Sequence, residues 1–189
     1  MARMEPIRDK KQAKKLAEYW LARGHFRNYA LIVLGVCTAL RVSDLLRLTL
    51  EDAYDGESGA FRPHIAVTEQ KTGKRKAIAL NRQAVQALRL LRPHRRNAYI
   101  FASNRKEVKP ISRVQAWRIV KEAAKAIKAP DLIGYHSLRK TFGYHAWVSG
   151  VNPVLLMDIY NHSAYETTKR YLGVTQDDRD KVYLGLALF

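Results

Sequence analysis

Apolar positions recur with a helical period over most of the chain. Leu16, Tyr19 and Trp20 form one stripe within residues 14–23, and Gly24 stops that helix. Residues 25–40 are strongly apolar, which predicts a helix central to the core. Ser43 is placed to cap a short helix running through Leu48. The period then changes. Ile65 and Val67 alternate with polar residues within 61–70, and Ile78 and Leu80 alternate within 75–80. Lys71-Thr72-Gly73-Lys74 lies between them, so the stretch predicts a β-hairpin. Helical patterns then resume. Asn81 caps a helix to about Leu91, which Pro93 breaks, and Tyr99-Ile100-Phe101 forms a short buried segment. Ser112 caps a helix through Ile127, with Val114, Trp117, Ile119 and Val120 along it. A helix over 136–148 ends at Gly150, Asn152-Pro153 opens the next with proline in its first turn, and a last helix carries 167–172. The expected fold is mainly α with a small antiparallel β-sheet (α+β). We read one domain over 1–189, with a loose basic arm at 1–15 and a tail at 175–189 that is first acidic, then apolar.

A chain of 189 residues is long enough to bury a sizeable core. Its single cysteine, Cys37, leaves no internal disulfide and, inside the apolar run, reads as a packed core thiol. The basic opening lacks the apolar stretch of a signal peptide. The apolar run 30–40 is too short for a bilayer, which takes about 20 residues. A cytoplasmic protein with no membrane partner is expected. Charge changes the picture most. Lys and Arg number 34 against 17 Asp and Glu, a formal net charge of +17. Such a surface draws in polyanions, so nucleic acid is the expected partner. Charge alone fits a passive RNA-binding protein equally well.

The chemistry lies in a few polar positions. A phosphodiester repels nucleophiles, and its transition state gathers charge on the nonbridging oxygens. Two preorganised guanidinium forks answer that charge. Arg41 and Arg139 are the candidates. Arg41 follows the apolar helix, where a charge needs a partner, and a plain ion pair with Asp44 is the simpler account of it. His136 and Arg139 are three residues apart, so one helical face presents an acid–base group and a phosphate ligand together. Taken alone, that pair reads equally well as a structural histidine beside a surface arginine. His162 can donate to the same phosphate or simply cap or pack. Tyr171 lies in a polar stretch unlike core. A phenol has an ordinary pKa of about 10, so it needs cationic neighbours or a base to attack at neutral pH. The chain has ten tyrosines, Tyr160 and Tyr165 being the nearest decoys. A lysine at the hairpin tip suits protonation of a leaving oxygen, but Lys71, Lys74, Arg75 and Lys76 all stand there. No carboxylate cluster at two-metal spacing and no Cys/His ligand set is visible.

Taken together, five strings in this order resemble the catalytic domain of the tyrosine recombinases, the phage-integrase family. They are Thr38-Ala39-Leu40-Arg41-Val42-Ser43-Asp44, Gln70-Lys71-Thr72-Gly73-Lys74, His136-Ser137-Leu138-Arg139, Asn161-His162-Ser163 and Thr167-Thr168-Lys169-Arg170-Tyr171. The likeness runs from about Arg23 to about Val174. It implies that Arg41, Lys71, His136, Arg139, His162 and Tyr171 are catalytic. It picks Lys71 from the hairpin cations, singles out Tyr171 nine residues after His162, and gives Asp44 an orienting role. The implied reaction is site-specific recombination of double-stranded DNA through a 3′-phosphotyrosyl link, with no metal and no cofactor. Lys71 would protonate the departing 5′-hydroxyl, His136 would handle the tyrosine proton, and Arg41, Arg139 and His162 would stabilise the phosphorane. The implied assembly is a homo-oligomer, a tetramer on paired sites, with the apolar tail docked on a neighbour. Two other functions fit the fold: a noncatalytic DNA-binding protein, and a type IB topoisomerase that relaxes DNA as a monomer. The intact set of six favours an enzyme, and the apolar tail favours the recombinase.

The chain departs from the family pattern in places. Tyr160-Asn161 replaces the common Leu-Gly before His162, and Lys140 follows Arg139 where histidine is commoner. The chain has no room for the separate helical core-binding domain that integrases usually carry. It is therefore expected to be an excised catalytic domain or a minimal recombinase, and the opening Met1 and basic arm favour the second.

Overall fold

The computed structural model describes residues 4–104, 107–130 and 132–185. Helix α2 (Phe26–Cys37) is apolar on most of its surface because it packs on three others: α1 (Lys10–Leu21), α5 (Arg82–Leu91) and α7 (Tyr135–Val148). Leu31, Ile32 and Leu34 are fully buried there. Burying each such side chain contributes roughly 1.5–3 kcal/mol before entropy is counted. Helix α6 (Arg113–Ala126) closes the core with Ala116, Ile119, Val120, Ala123 and Ala124, while Val114 and Trp117 of the same helix stay exposed. The caps expected from sequence are present: Asn81 accepts from the Ala84 N–H and Ser112 from the Gln115 N–H.

Strands β3 (His64–Thr68) and β4 (Arg75–Ala79) form the expected antiparallel hairpin, pairing Ile65 with Ile78 and Val67 with Lys76. Ile65 and Val67 face the core. A second two-stranded ribbon, β1 (Tyr54–Asp55) with β2 (Ala60–Phe61), went unread because two-residue strands show no alternation.

Several boundaries differ from expectation. Helix α2 ends at Cys37, and Ala39 takes a left-handed conformation (φ 53°) that turns the chain toward Arg41. Helix α3 (Val42–Leu46) is capped from Arg41, so Ser43 lies inside it rather than at its start; the short helix α4 is Leu50–Ala53. From Met4 onward the basic arm is not loose. Ile7 is buried, its N–H donates to Thr141 Oγ1, Lys140 Nζ donates to the Met4 carbonyl, and α1 begins at Lys10. Cys37 is half-buried rather than enclosed.

A smaller apolar cluster lies beyond α7. Leu156 and Tyr160 of α8 (Pro153–Tyr160) and Leu172 of α9 (Tyr165–Leu172) meet Ala39, Phe142 and Trp147 there. Helix α7 therefore has a core on each side. Its Gly143 lets Tyr160 lie against it: a Cβ at 143 would come 2.9 Å from the tyrosine ring. Helix α10 (Gln176–Gly185) follows, with Val182, Tyr183 and Leu184 exposed; Leu186, Leu188 and Phe189 lie outside the described residues. Among the described residues no helix is long and apolar enough to cross a membrane.

Glycine inside a helix normally costs about 1 kcal/mol relative to alanine. At 143 the order reverses, because Tyr160 is buried and hydrogen-bonded. Gly143→Ala is expected to lower stability by about 1–3 kcal/mol, the usual scale of core overpacking. Denaturant unfolding of the two proteins measures this, and a stabilised variant would show that Tyr160 yields freely.

Candidate active site

Four segments converge between the two cores. Arg41 stands at the start of α3 after the left-handed turn at Ala39. The first turn of α7 presents His136 and Arg139, and Ser137 Oγ accepts from the Gly134 N–H to fix that turn. Helix α8 ends at Asn161, again left-handed (φ 53°), which swings His162 back over the site. Helix α9 carries Tyr171.

Arg139 is 2% exposed. A buried guanidinium demands acceptors, and backbone carbonyls supply them. It donates to the Ala39 carbonyl and, at 3.0 Å, to the Tyr160 carbonyl. The Tyr160 ring lies 4.6 Å from the guanidinium carbon, and the Tyr160 hydroxyl donates to the Arg139 carbonyl at 2.8 Å. Nε is buried without a partner. Desolvation pulls the Arg139 pKa below its ordinary value, while the neighbouring Tyr171 opposes that shift.

Arg41 is more open. It donates to the same Tyr160 carbonyl at 3.4 Å, so both arginines are aimed from one backbone oxygen. Its carboxylate partner is not Asp44 but Glu69, 2.8 Å away and 1% exposed. Asp44 is buried as well and accepts from the Gln70 N–H at 3.1 Å, which ties α3 to the hairpin turn. Glu69 also receives Thr72 Oγ1, Asn161 Nδ2 and Lys76 Nζ. Burial alone would raise its pKa, but these donors together hold its carboxyl down at about 2. Among the hairpin cations, Lys74 bonds Asn161 and Lys76 bonds the Asp158 and Ile159 carbonyls. Lys71 lies in the exposed turn one residue before Thr72, and no hydrogen bond or ion pair joins it to the other five expected residues.

Those five come together. The Tyr171 ring meets His136 edge-on at 5.0 Å and His162 edge-on at 4.6 Å, and it lies 5.8 Å from the Arg139 guanidinium. Tyr160, a decoy in sequence, is a buried support under Arg139; Tyr165 is exposed on the first turn of α9. His162 Nδ1 pairs with buried Thr168 Oγ1 at 3.0 Å, which leaves Nε2 as its other ring nitrogen for a proton or a donor bond. Desolvation, then Lys140, Arg139 and Arg41, lower the His136 pKa to about 4. His136 is exposed, which weakens the burial contribution, and the cations act in the same direction. Desolvation and then Arg139, Arg41 and Lys76 bring His162 to about 4 as well. Neutral imidazoles can therefore accept a proton or donate an N–H at pH 7. Among the described residues no group of His, Cys, Asp and Glu could hold a metal ion.

Sequence reasoning missed Glu69, Thr168 and the support role of Tyr160. One signal for Glu69 was legible: it continues the inward phase of Ile65 and Val67, so a carboxylate falls where an apolar residue belongs.

The depressed histidines carry a pH consequence. An ordinary imidazole, with a pKa of about 6.5, is mostly protonated at pH 6. His136 and His162 stay neutral there. Their folded pKa lies below the unfolded one, so the stability they contribute is present above about pH 6.5 and is lost as pH falls toward 4. Histidine NMR titration of the DNA-free protein is expected to place both midpoints well below 6. Midpoints near 6.5 would mean that neither burial nor the cations act on them.

Comparison with known proteins gives one answer. Residues 8–177 match the phage integrase family. The probable integrase/recombinase YoeC of Bacillus subtilis is 36% identical over 181 residues, covering 95% of each chain. Tyrosine recombinase XerA of Pyrococcus furiosus is 29% identical over 87% of this chain, which spans only 56% of that longer relative. The crystal structure of XerA recombinase superposes with a TM-score of 0.76 at 24% identity, over 96% of this chain and 65% of that one. The Tn1549 transposon integrase, solved in complex with a circular intermediate DNA, gives 0.72 at 22% identity over 98% and 67%. With its family match across most of its length and its recombinase relatives, this chain belongs to the phage integrase family.

Proposed function

We propose that this chain is a tyrosine site-specific recombinase that cuts and rejoins double-stranded DNA, with Tyr171 attacking in cis. One observation carries the reading: the Tyr171 ring sits against His136, His162 and Arg139 of its own chain. The net charge of +17 and the DNA-bound Tn1549 integrase structure support duplex DNA as the substrate. The step balances without a metal or an external energy source. The Tyr171 oxygen bonds to phosphorus while the bond to the 5′-oxygen breaks. His136, neutral at pH 7, takes the phenolic proton, and Lys71 in the hairpin turn gives one to the departing 5′-oxygen. Arg41, Arg139 and His162 bind the nonbridging oxygens, where charge accumulates. Attack by a 5′-hydroxyl from another strand reverses the link and exchanges the strands.

A suicide substrate that loses its 5′ end traps the covalent adduct. Tyr171→Phe is expected to abolish trapping while leaving DNA affinity nearly intact. An adduct surviving in that variant would move the nucleophile elsewhere. In the same assay Arg41→Ala is expected to slow cleavage at least about a hundredfold, the scale of losing one transition-state donor. An unchanged rate would make Arg41 a partner of Glu69 and nothing more.

The oligomer is read from the tail. Helix α10 carries Asp177, Asp178 and Asp180, then the exposed Val182, Tyr183 and Leu184. An apolar end that its own domain leaves uncovered suits a neighbouring copy, in a head-to-tail contact that can close into a ring on paired sites. Deleting residues 175–189 is expected to preserve binding to one site but to reduce assembly on paired sites and recombination. Gel-shift stoichiometry beside a recombination assay checks it. Full assembly without the tail would make it dispensable, and an insoluble truncation would place it in its own domain's core.

A further inference from the structure

Glu69 stands where strand phase calls for an apolar side chain, yet it is a carboxylate held by two hydrogen-bond donors and two cations from four places. Arg41 Nη1 comes from the start of α3 at 2.8 Å, and Thr72 Oγ1 from the hairpin turn at 2.8 Å. Lys76 Nζ comes from β4 at 3.2 Å, and Asn161 Nδ2 from the turn before His162 at 3.0 Å. A buried ion cluster is a poor source of stability, because desolvation offsets most of the attraction. Its gain is geometric: one charge with directed partners fixes where each partner lies. Here those partners adjoin three of the groups assigned to the chemistry. Arg41 is one of them, Thr72 is next to Lys71, and Asn161 is next to His162. Asn161 adds a second strap, since its Oδ1 accepts from Lys74 Nζ at 2.9 Å. Lys76 adds a third through the Asp158 and Ile159 carbonyls at the end of α8.

We propose that Glu69 is a positioning residue for DNA cleavage, its buried carboxylate setting the hairpin turn, Arg41 and the Asn161–His162 turn in one arrangement. The proposal rests on the reading of Tyr171 as the nucleophile. Glu69 itself is too deeply buried to touch the phosphate. It acts through the groups it holds, and Asn161 acts through Glu69.

The test is single-turnover cleavage of a suicide substrate at saturating DNA, with affinity measured separately. Wild-type protein comes first: if it forms no Tyr171 adduct, the nucleophile assignment fails and Glu69 is not at issue. Given that adduct, Glu69→Gln keeps the shape and loses the charge. Its cleavage rate constant is expected to fall at least about tenfold, as misplacement of catalytic groups does. Its DNA Kd should stay within about threefold, since no phosphate contact is removed. Asn161→Gly suits the left-handed backbone and removes only the side chain. It is expected to match or exceed wild-type thermal stability and still to cleave several-fold more slowly. A merely structural link would not separate those two readouts. The double variant should cleave no more slowly than Glu69→Gln alone, because both changes break one linkage. A folded Glu69→Gln protein that cleaves within about twofold of wild type at saturating DNA overturns the proposal. If Glu69→Gln does not fold, a wild-type cleavage rate in Asn161→Gly overturns it.

Discussion

Arg139 is a full charge almost entirely out of water, and the rest of the site follows from satisfying it. Its two carbonyl partners belong to residues 100 positions upstream and 21 downstream, so the loop after α2 and the end of α8 must both reach α7. The left-handed turn at Ala39 points one carbonyl inward. The Tyr160 ring and hydroxyl close the opposite side, and they fit only because α7 has glycine at 143. Losing either carbonyl leaves the buried cation short of an acceptor, which costs several kcal/mol. The two apolar clusters are joined through this polar contact as much as through packing.

The same concentration of positive charge sets the chemistry. Burial disfavours the charged form of both imidazoles, and Arg41, Arg139, Lys140 and Lys76 push their pKa values the same way. A site so arranged is unfavourable on its own and favourable around an anion. A bound phosphate offsets the mutual repulsion of the cations, so substrate binding should tighten the fold. Glu69 supplies one buried negative charge 2.8 Å from Arg41, which offsets part of that crowding.

Much of this was legible in the sequence where local rules decide. The helices capped by Asn81, Ser112 and Asn152 and the hairpin with inward Ile65 and Val67 are local matters, and so is the shared face of His136 and Arg139. What was not legible depends on long-range contact. Residues 38–40 continue an apolar run, yet the chain turns there because Arg139 claims the Ala39 carbonyl. The charged opening reads as a solvated arm, yet Ile7 is buried against α7 and Arg8 bonds the Gly173 carbonyl just past the end of α9. Arg41 with Asp44 three residues on looks like a local ion pair. The real partner lies just past the end of β3, 28 residues away, and nothing in the local spacing could name it.

The departure at 160–161 is where local and long-range constraints meet. A leucine before the turn would pack, but it could neither donate to the Arg139 carbonyl nor offer a ring to the guanidinium. Tyr160 does both. A glycine at 161 would adopt the left-handed turn at no cost. Asparagine adopts it at a small one, and in return its amide reaches Glu69 and Lys74 across the site. The two substitutions therefore act in one direction. Each replaces a residue that merely permits the turn with one that bonds across it, so that the backbone oxygen aiming both arginines is braced from α7 on one side and from the hairpin on the other.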